Sequence, residues 1–109
     1  MLLQKPIESG DIIAIKLSTG EELIAKLNSV GNDNIVISKP LTVTLAQDPR
    51  TGSVGIQMLP YFVLCGDADA KLTIKDSHIV TRTLANENAK SGYIQNTTGL
   101  TVASSGLIR

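Results

Sequence analysis

GDIIAIKLSTGEELIAKL, residues 10–27, reads as two strands that alternate apolar and polar residues around a turn at Ser18, Thr19 and Gly20. Successive side chains on a strand point to opposite faces, so Ile13, Ile15 and Leu17 share one face of the first arm and Leu23, Ala25 and Leu27 one face of the second. Together they are expected to form one wall of a core. Gly20 supplies the positive φ that closes a short hairpin loop, and Glu21 and Glu22 restart the chain in solvent. The other face carries Ile12, Ala14, Lys16, Glu22, Ile24 and Lys26. Two isoleucines on a face that should be wet call for a cover, either a later part of the chain or a second copy of it.

Turn formers fill residues 28–34, ahead of the β-branched run Ile35, Val36, Ile37. Beyond Pro40, Leu41, Val43 and Leu45 alternate with Thr42 and Thr44, which predicts one long strand bent between Ser38 and Pro40. A turn cluster at residues 47–52 returns the chain antiparallel into a strand from Val54 to Cys65. Within that segment Met58, Leu59, Tyr61, Phe62, Val63 and Leu64 are almost continuously apolar, a pattern a strand tolerates when both faces are covered. One cover is the core, and a neighbouring subunit is the natural second. A loop over residues 66–70, a strand at Leu72 to Ile74, a turn at Lys75 to Ser77 and a last strand from His78 to Thr83 follow.

From Leu84 to Gln95 the composition favours a short helix, although Gly92 weakens it by about 1 kcal/mol against alanine. Its apolar members, Leu84, Ala85, Ala89, Tyr93 and Ile94, are the candidates for covering Ile12 and Ile24. The tail at residues 99–109 has small residues and no period, so its order is not expected. No crossover helices fit between the strands. The expected architecture is a single all-β domain: a small, strongly bent, antiparallel five-stranded barrel over about residues 10–83, with a short helix and tail over 84–109.

A length of 109 residues, 42% hydrophobic and 18% charged, suits one globular domain that buries roughly two thirds of its unfolded surface. Ten basic and ten acidic residues cancel, so no whole-molecule field draws in nucleic acid or an anionic membrane, and any anion site must be local. Cys65 has no intrachain partner and ends an apolar run, as a buried thiol in a reducing compartment does. The start, MLLQKPIES, is read as neither signal peptide nor anchor, and no apolar run approaches bilayer length, which implies a cytoplasmic protein with no membrane partner. The Asn96-Thr97-Thr98 sequon then has no secretory context.

Two separated stretches resemble the paired motifs of the Sm and Sm-like family, whose bacterial branch is Hfq. Ile13 to Leu17, Gly20, Leu23, Ala25 and Leu27, then Asn34 to Ile37, are similar to that family's hydrophobic strand, glycine turn, second strand and asparagine-ended loop. Ile74-Lys75-Asp76-Ser77-His78-Ile79-Val80 is similar to its second motif, an apolar residue, Arg or Lys, Gly, two polar residues, then Ile-Val. The segment from Tyr93 to Leu100 resembles the ending of small Sm-like proteins carried by tailed phages of marine bacteria, which would place the protein in a host cytoplasm.

The resemblance implies a closed homo-oligomeric ring of about five to seven subunits, which also removes exposed strand edges. The fourth strand of one subunit would pair with the fifth of the next, here Val54–Cys65 with His78–Thr83, placing Met58, Tyr61, Val63, Ile79 and Thr81 at the subunit interface. It also implies a nucleic-acid groove built from Asn32, Asp33 and Asn34 together with Lys75, Asp76 and Ser77. Asn34 would hydrogen-bond a base edge, Asn32 would take the stacking position, and Lys75 would meet a base or phosphate of single-stranded RNA, or of DNA. The plainer account makes the asparagines turn formers and Lys75 a solvated hairpin tip.

The sequence also departs from the family pattern. The loop before Asn34 is one residue short, has Gly31 where an aspartate is typical and lacks the stacking aromatic, and Asp76 replaces the glycine after the basic residue. An acid there opposes phosphate, so a ring that binds a protein partner and no nucleic acid is the alternative. No cofactor is implied. His78 and Ser77 are neighbours whose side chains point apart on a strand, and Asp67, Asp69 and Asp76 have no fourth hard ligand nearby, so neither a catalytic nor a metal reading holds and the protein is not expected to be an enzyme. Lys16, Lys26 and Lys39 lie on the outside of the sheet, where a second, lateral phosphate contact competes with ordinary solvated charge.

Overall fold

The computed structural model describes residues 7–62, 64–67 and 69–98. The N-terminal stretch before Ile7, Val63 and the tail at residues 99–109 lie outside the described residues. Among the described residues six strands form one antiparallel sheet: β1 (Ile12–Leu17), β2 (Glu22–Val30), β3 (Asn34–Gln47), β4 (Val54–Pro60), β5 (Lys71–Lys75) and β6 (Ile79–Leu84). A one-turn 3₁₀ helix (Asp76–His78) joins β5 to β6, and helix α1 (Glu87–Thr97) ends the described chain.

The opening hairpin forms in the expected register, with Ile13 opposite Ala25 and Ile15 opposite Leu23. Gly20 sits at φ +98, and its N–H donates to the Leu17 carbonyl at 2.9 Å, closing the loop. All the inward residues of the hairpin are buried, and with Ile35 and Ile37 they make the first core, flanked by Leu72, Ile74 and Ile79. Strand alternation alone produces this wall.

The strand count and closure differ from expectation. The sheet has six strands in the order β4-β3-β2-β1-β6, with β5 on the same edge of β3 as β4, and it is open. The strand expected to run to Cys65 stops at Pro60, which has no N–H to continue the ladder. The following residues leave the sheet after one last bond, from Tyr61 N–H to the Pro40 carbonyl at 3.1 Å. The edge of β3 is therefore shared, with Asn34–Ser38 pairing β5 and Leu41–Gln47 pairing β4.

The change of partner falls at the bend. Ile24 pairs Leu41 and Lys26 pairs Ser38, so Lys39 and Pro40 together oppose Ala25, a β-bulge that turns the strand. Lys39 takes φ 50, in the left-handed region that costs a side-chain-bearing residue about 1 kcal/mol or more. The helix holds this bend in place. Its N-cap Asn86 accepts from the Ala89 N–H at 2.8 Å, and its buried Tyr93 donates a hydroxyl proton shared between the carbonyls of Ser38 (3.1 Å) and Lys39 (2.9 Å).

Around Tyr93 a second core gathers Ile24 and Leu41, with Ile12, Val43, Met58, Ala85 and Ala89 packed against it. Helix α1 thus covers the outward isoleucines, as expected. Gly92 has a use beyond weakening the helix: a Cβ there would lie 3.3 Å from Met58 Cε, so its absence lets the helix settle onto β4. The cover is incomplete. Val43 and Met58 pair across β3 and β4 beneath the helix, whereas the next pair on that face, Leu45 and Ile56, is exposed at 76% and 56%.

Burial pushes the Tyr93 hydroxyl up from 10.0 to about 12. The folded state favours the neutral phenol, so its stabilisation is intact below pH 10 and is lost between pH 10 and about 12, at most roughly 3 kcal/mol. Tyr93→Phe is expected to cost about 1 kcal/mol at pH 7. In urea titrations from pH 8 to 11.5 the wild type should lose stability faster than the variant; parallel declines would contradict the role given to this hydroxyl.

Candidate nucleic-acid interface

The β2–β3 loop and the β5–β6 connection meet. Asp76 N–H donates to the Asp33 carbonyl at 2.8 Å, and Asn34 pairs Lys75 across the β3–β5 ladder. The loop residues Asn32, Asp33 and Asn34 are thus brought beside Lys75, Asp76 and Ser77, although they lie about forty positions apart in the sequence. Asn32, Asp33, Lys75 and Ser77 are exposed; Asn34 and Asp76 are half-buried. The amide of Asn34 is engaged, its Nδ2 donating to Asp33 Oδ1 at 3.1 Å, so reading a base edge would mean exchanging that exposed bond.

Asp76 does not present a free charge to this cleft. Arg82, on β6 opposite Ile15, places Nη1 2.9 Å from Asp76 Oδ1. Sequence reasoning missed Arg82; its place six residues after Asp76 (the 3₁₀ turn, then a strand) was the available signal. His78 is exposed, and its carbonyl accepts from the Ser18 N–H at 2.8 Å, tying the 3₁₀ turn to the opening hairpin.

Next to these loops lies an open groove of about 400 Å³. The hairpin tip at Ser18, Thr19 and Glu21 forms one side, and Tyr61, Phe62, Lys75 and His78 contribute to the rest. Tyr61 and Phe62 are 37% and 51% exposed. The aromatic surface absent from the β2–β3 loop is therefore supplied next to Lys75 by the segment leaving β4, a placement that depends on the strand ending at Pro60 and has no local sequence signal. Two rings, a lysine and an imidazole suit a planar base with its phosphate on the Lys75 side, away from the Glu21 carboxylate on the hairpin side.

Of the residues assigned to a subunit interface, Met58 packs in the second core and Ile79 against the first, both of their own chain, while Tyr61 and Thr81 are exposed and Val63 lies outside the described residues. Their sequence neighbours Leu59, Phe62, Leu64 and Val80 are exposed apolar residues. Among the acids considered for metal binding, Asp76 is paired with Arg82, and Asp69 lies 3.6 Å from Lys39 Nζ. Lys16 pairs with Glu22 at 3.9 Å, whereas Lys26 stands opposite Ile12 at the other end of β1. Among the described residues no helix is long and apolar enough to cross a membrane.

Comparison with protein-family models and with curated proteins finds no match to the chain.

Because Arg82 and Asp76 are both partly shielded, a double-mutant cycle with Asp76→Ala and Arg82→Ala is expected to give a coupling of about 0.5–1 kcal/mol in urea unfolding, shrinking in 1 M salt. Additive single effects would mean that the two charges act independently.

Proposed function

We propose that this chain is an Sm-like protein that works without catalysis as a homo-oligomeric ring on single-stranded nucleic acid, RNA first and DNA second, in RNA or DNA processing. The observation that carries the reading is the joining of the Asn32–Asn34 loop to Lys75–Ser77 through the Asp76–Asp33 backbone bond, beside exposed Tyr61 and Phe62. Arg82 relieves the main electrostatic objection by pairing with Asp76. The long strand bent at Lys39 supports a strongly bent sheet of the Sm-like kind.

Free edges favour assembly. β4 and β6 end the strand order, seven and six residues long, and Leu59 and Val80 on them are 47% and 67% exposed. Pairing β4 of one copy with β6 of the next would consume both edges and cover apolar surface. A ring also repeats a weak groove in every subunit, which offsets the absence of net charge. The second reading, a ring or module that binds a protein partner, draws support from the bare face at Leu45, Val54 and Ile56.

Light scattering at micromolar concentration should give a mass that is a multiple of 11.6 kDa, and Val80→Lys should reduce it; a clean wild-type monomer would remove the ring. Fluorescence polarisation with U-rich and A-rich oligonucleotides should show submicromolar binding that weakens with salt. Lys75→Ala and Phe62→Ala should each lower that affinity about tenfold or more. No binding by the wild-type oligomer would leave the protein-partner reading.

A further inference from the structure

On the outer side of the sheet a second recess, of about 390 Å³, is bordered by Lys26 from β2, Lys39 from the bend and Lys90 from α1, with Thr97 and Thr98 at the helix end. No carboxylate lines it. The recess is continuous in register with the interface described above. Lys26 is opposite Ser38, Ser38 is opposite Lys71 on β5, and Lys75 lies four residues further along β5. Alternation puts Lys71 and Lys75 on the same face, about 13 Å apart along the strand. Lys26, Lys71, Lys75 and Lys90 have no carboxylate within 4.0 Å among the described residues, and Lys39 shares only the exposed pair with Asp69.

The backbone supplies a separate indication. Lys39 occupies a left-handed position where glycine would be unstrained, and Tyr93 holds that conformation from the carbonyl side. A long cation therefore stands at the lip of the recess at a conformational cost. In a chain whose charges sum to zero, five of its ten basic residues follow one path while no acid enters the recess.

We propose that this path is a phosphodiester track: a single strand of nucleic acid held near Lys75 continues its backbone past Lys71 into the recess of Lys26, Lys39 and Lys90. The inference rests on the nucleic-acid reading and extends it to a stretch of strand longer than the groove beside Phe62 accommodates. A point-charge ammonium suits a phosphate without reading sequence, so the track adds affinity and salt dependence and leaves base preference to the loops.

The test compares wild type with a variant carrying Lys26→Gln, Lys39→Gln, Lys71→Gln and Lys90→Gln, using a labelled 20-nucleotide U-rich RNA across a salt series. Four lost phosphate contacts, at about 0.7 each for single strands, should lower the slope of log affinity against log salt by roughly 3, with at least a tenfold loss of affinity at 0.1 M salt. The matching Lys→Arg variant should bind like wild type. The pair Lys71→Gln and Lys90→Gln, which touches neither the bend nor a buried residue, should lose about half as much slope and guards against misfolding of the quadruple variant. An unchanged slope in folded variants overturns the track and leaves the loop site standing. Absence of binding by the wild type overturns both.

Discussion

The bend of β3 on the outer side of this sheet is tied down by one buried hydroxyl. Tyr93 reaches from α1 to the carbonyls of Ser38 and Lys39 and fixes the place where β3 turns. That turn permits one strand to serve two partners on a single edge, β5 before it and β4 after it. Without the turn, Asn34 would not lie across from Lys75 while Leu41 still supports the second core. The clamp is local, but the interface loops and the lysine path are both placed relative to it.

Much of this arrangement was legible in the sequence because it follows from alternation. The hairpin's inward set and the covering of Ile12 and Ile24 by Ala85, Ala89 and Tyr93 follow from where apolar side chains must go, and the bend near Pro40 from the proline itself. The end of β4 at Pro60 was overlooked, although the proline itself was in view. The apolar run through Leu64 has the pattern of a strand, and only the missing N–H of Pro60, together with the transfer of the β3 edge to β5, ends it there. Gly92 shows a second role that propensity does not score: beside its cost to the helix, it leaves space for Met58 of β4.

The candidate site was legible in part. Its two loops could be named because each carries a motif, and the backbone bond from Asp76 to Asp33 brings them together. Arg82 was missed because its spacing from Asp76 does not by itself show that the 3₁₀ turn brings the two side chains together. The aromatic groove has the same origin, since Tyr61 and Phe62 reach Lys75 only because the chain leaves the sheet at that point. Electrostatics adds a further lesson. A summed charge of zero excludes a global field, yet it is silent about segregation, and here Lys26, Lys39 and Lys90 border one recess that no carboxylate lines.

The position of α1 after every strand gives the two cores an order of birth. As the polypeptide leaves the ribosome, the inner wall is complete once Leu84 has emerged, but Ile24 and Leu41 stay wet until Tyr93 follows. At about 5–20 residues per second this interval lasts on the order of a second. During it the nascent sheet shows chaperones and sibling chains a greasy surface that the finished molecule hides.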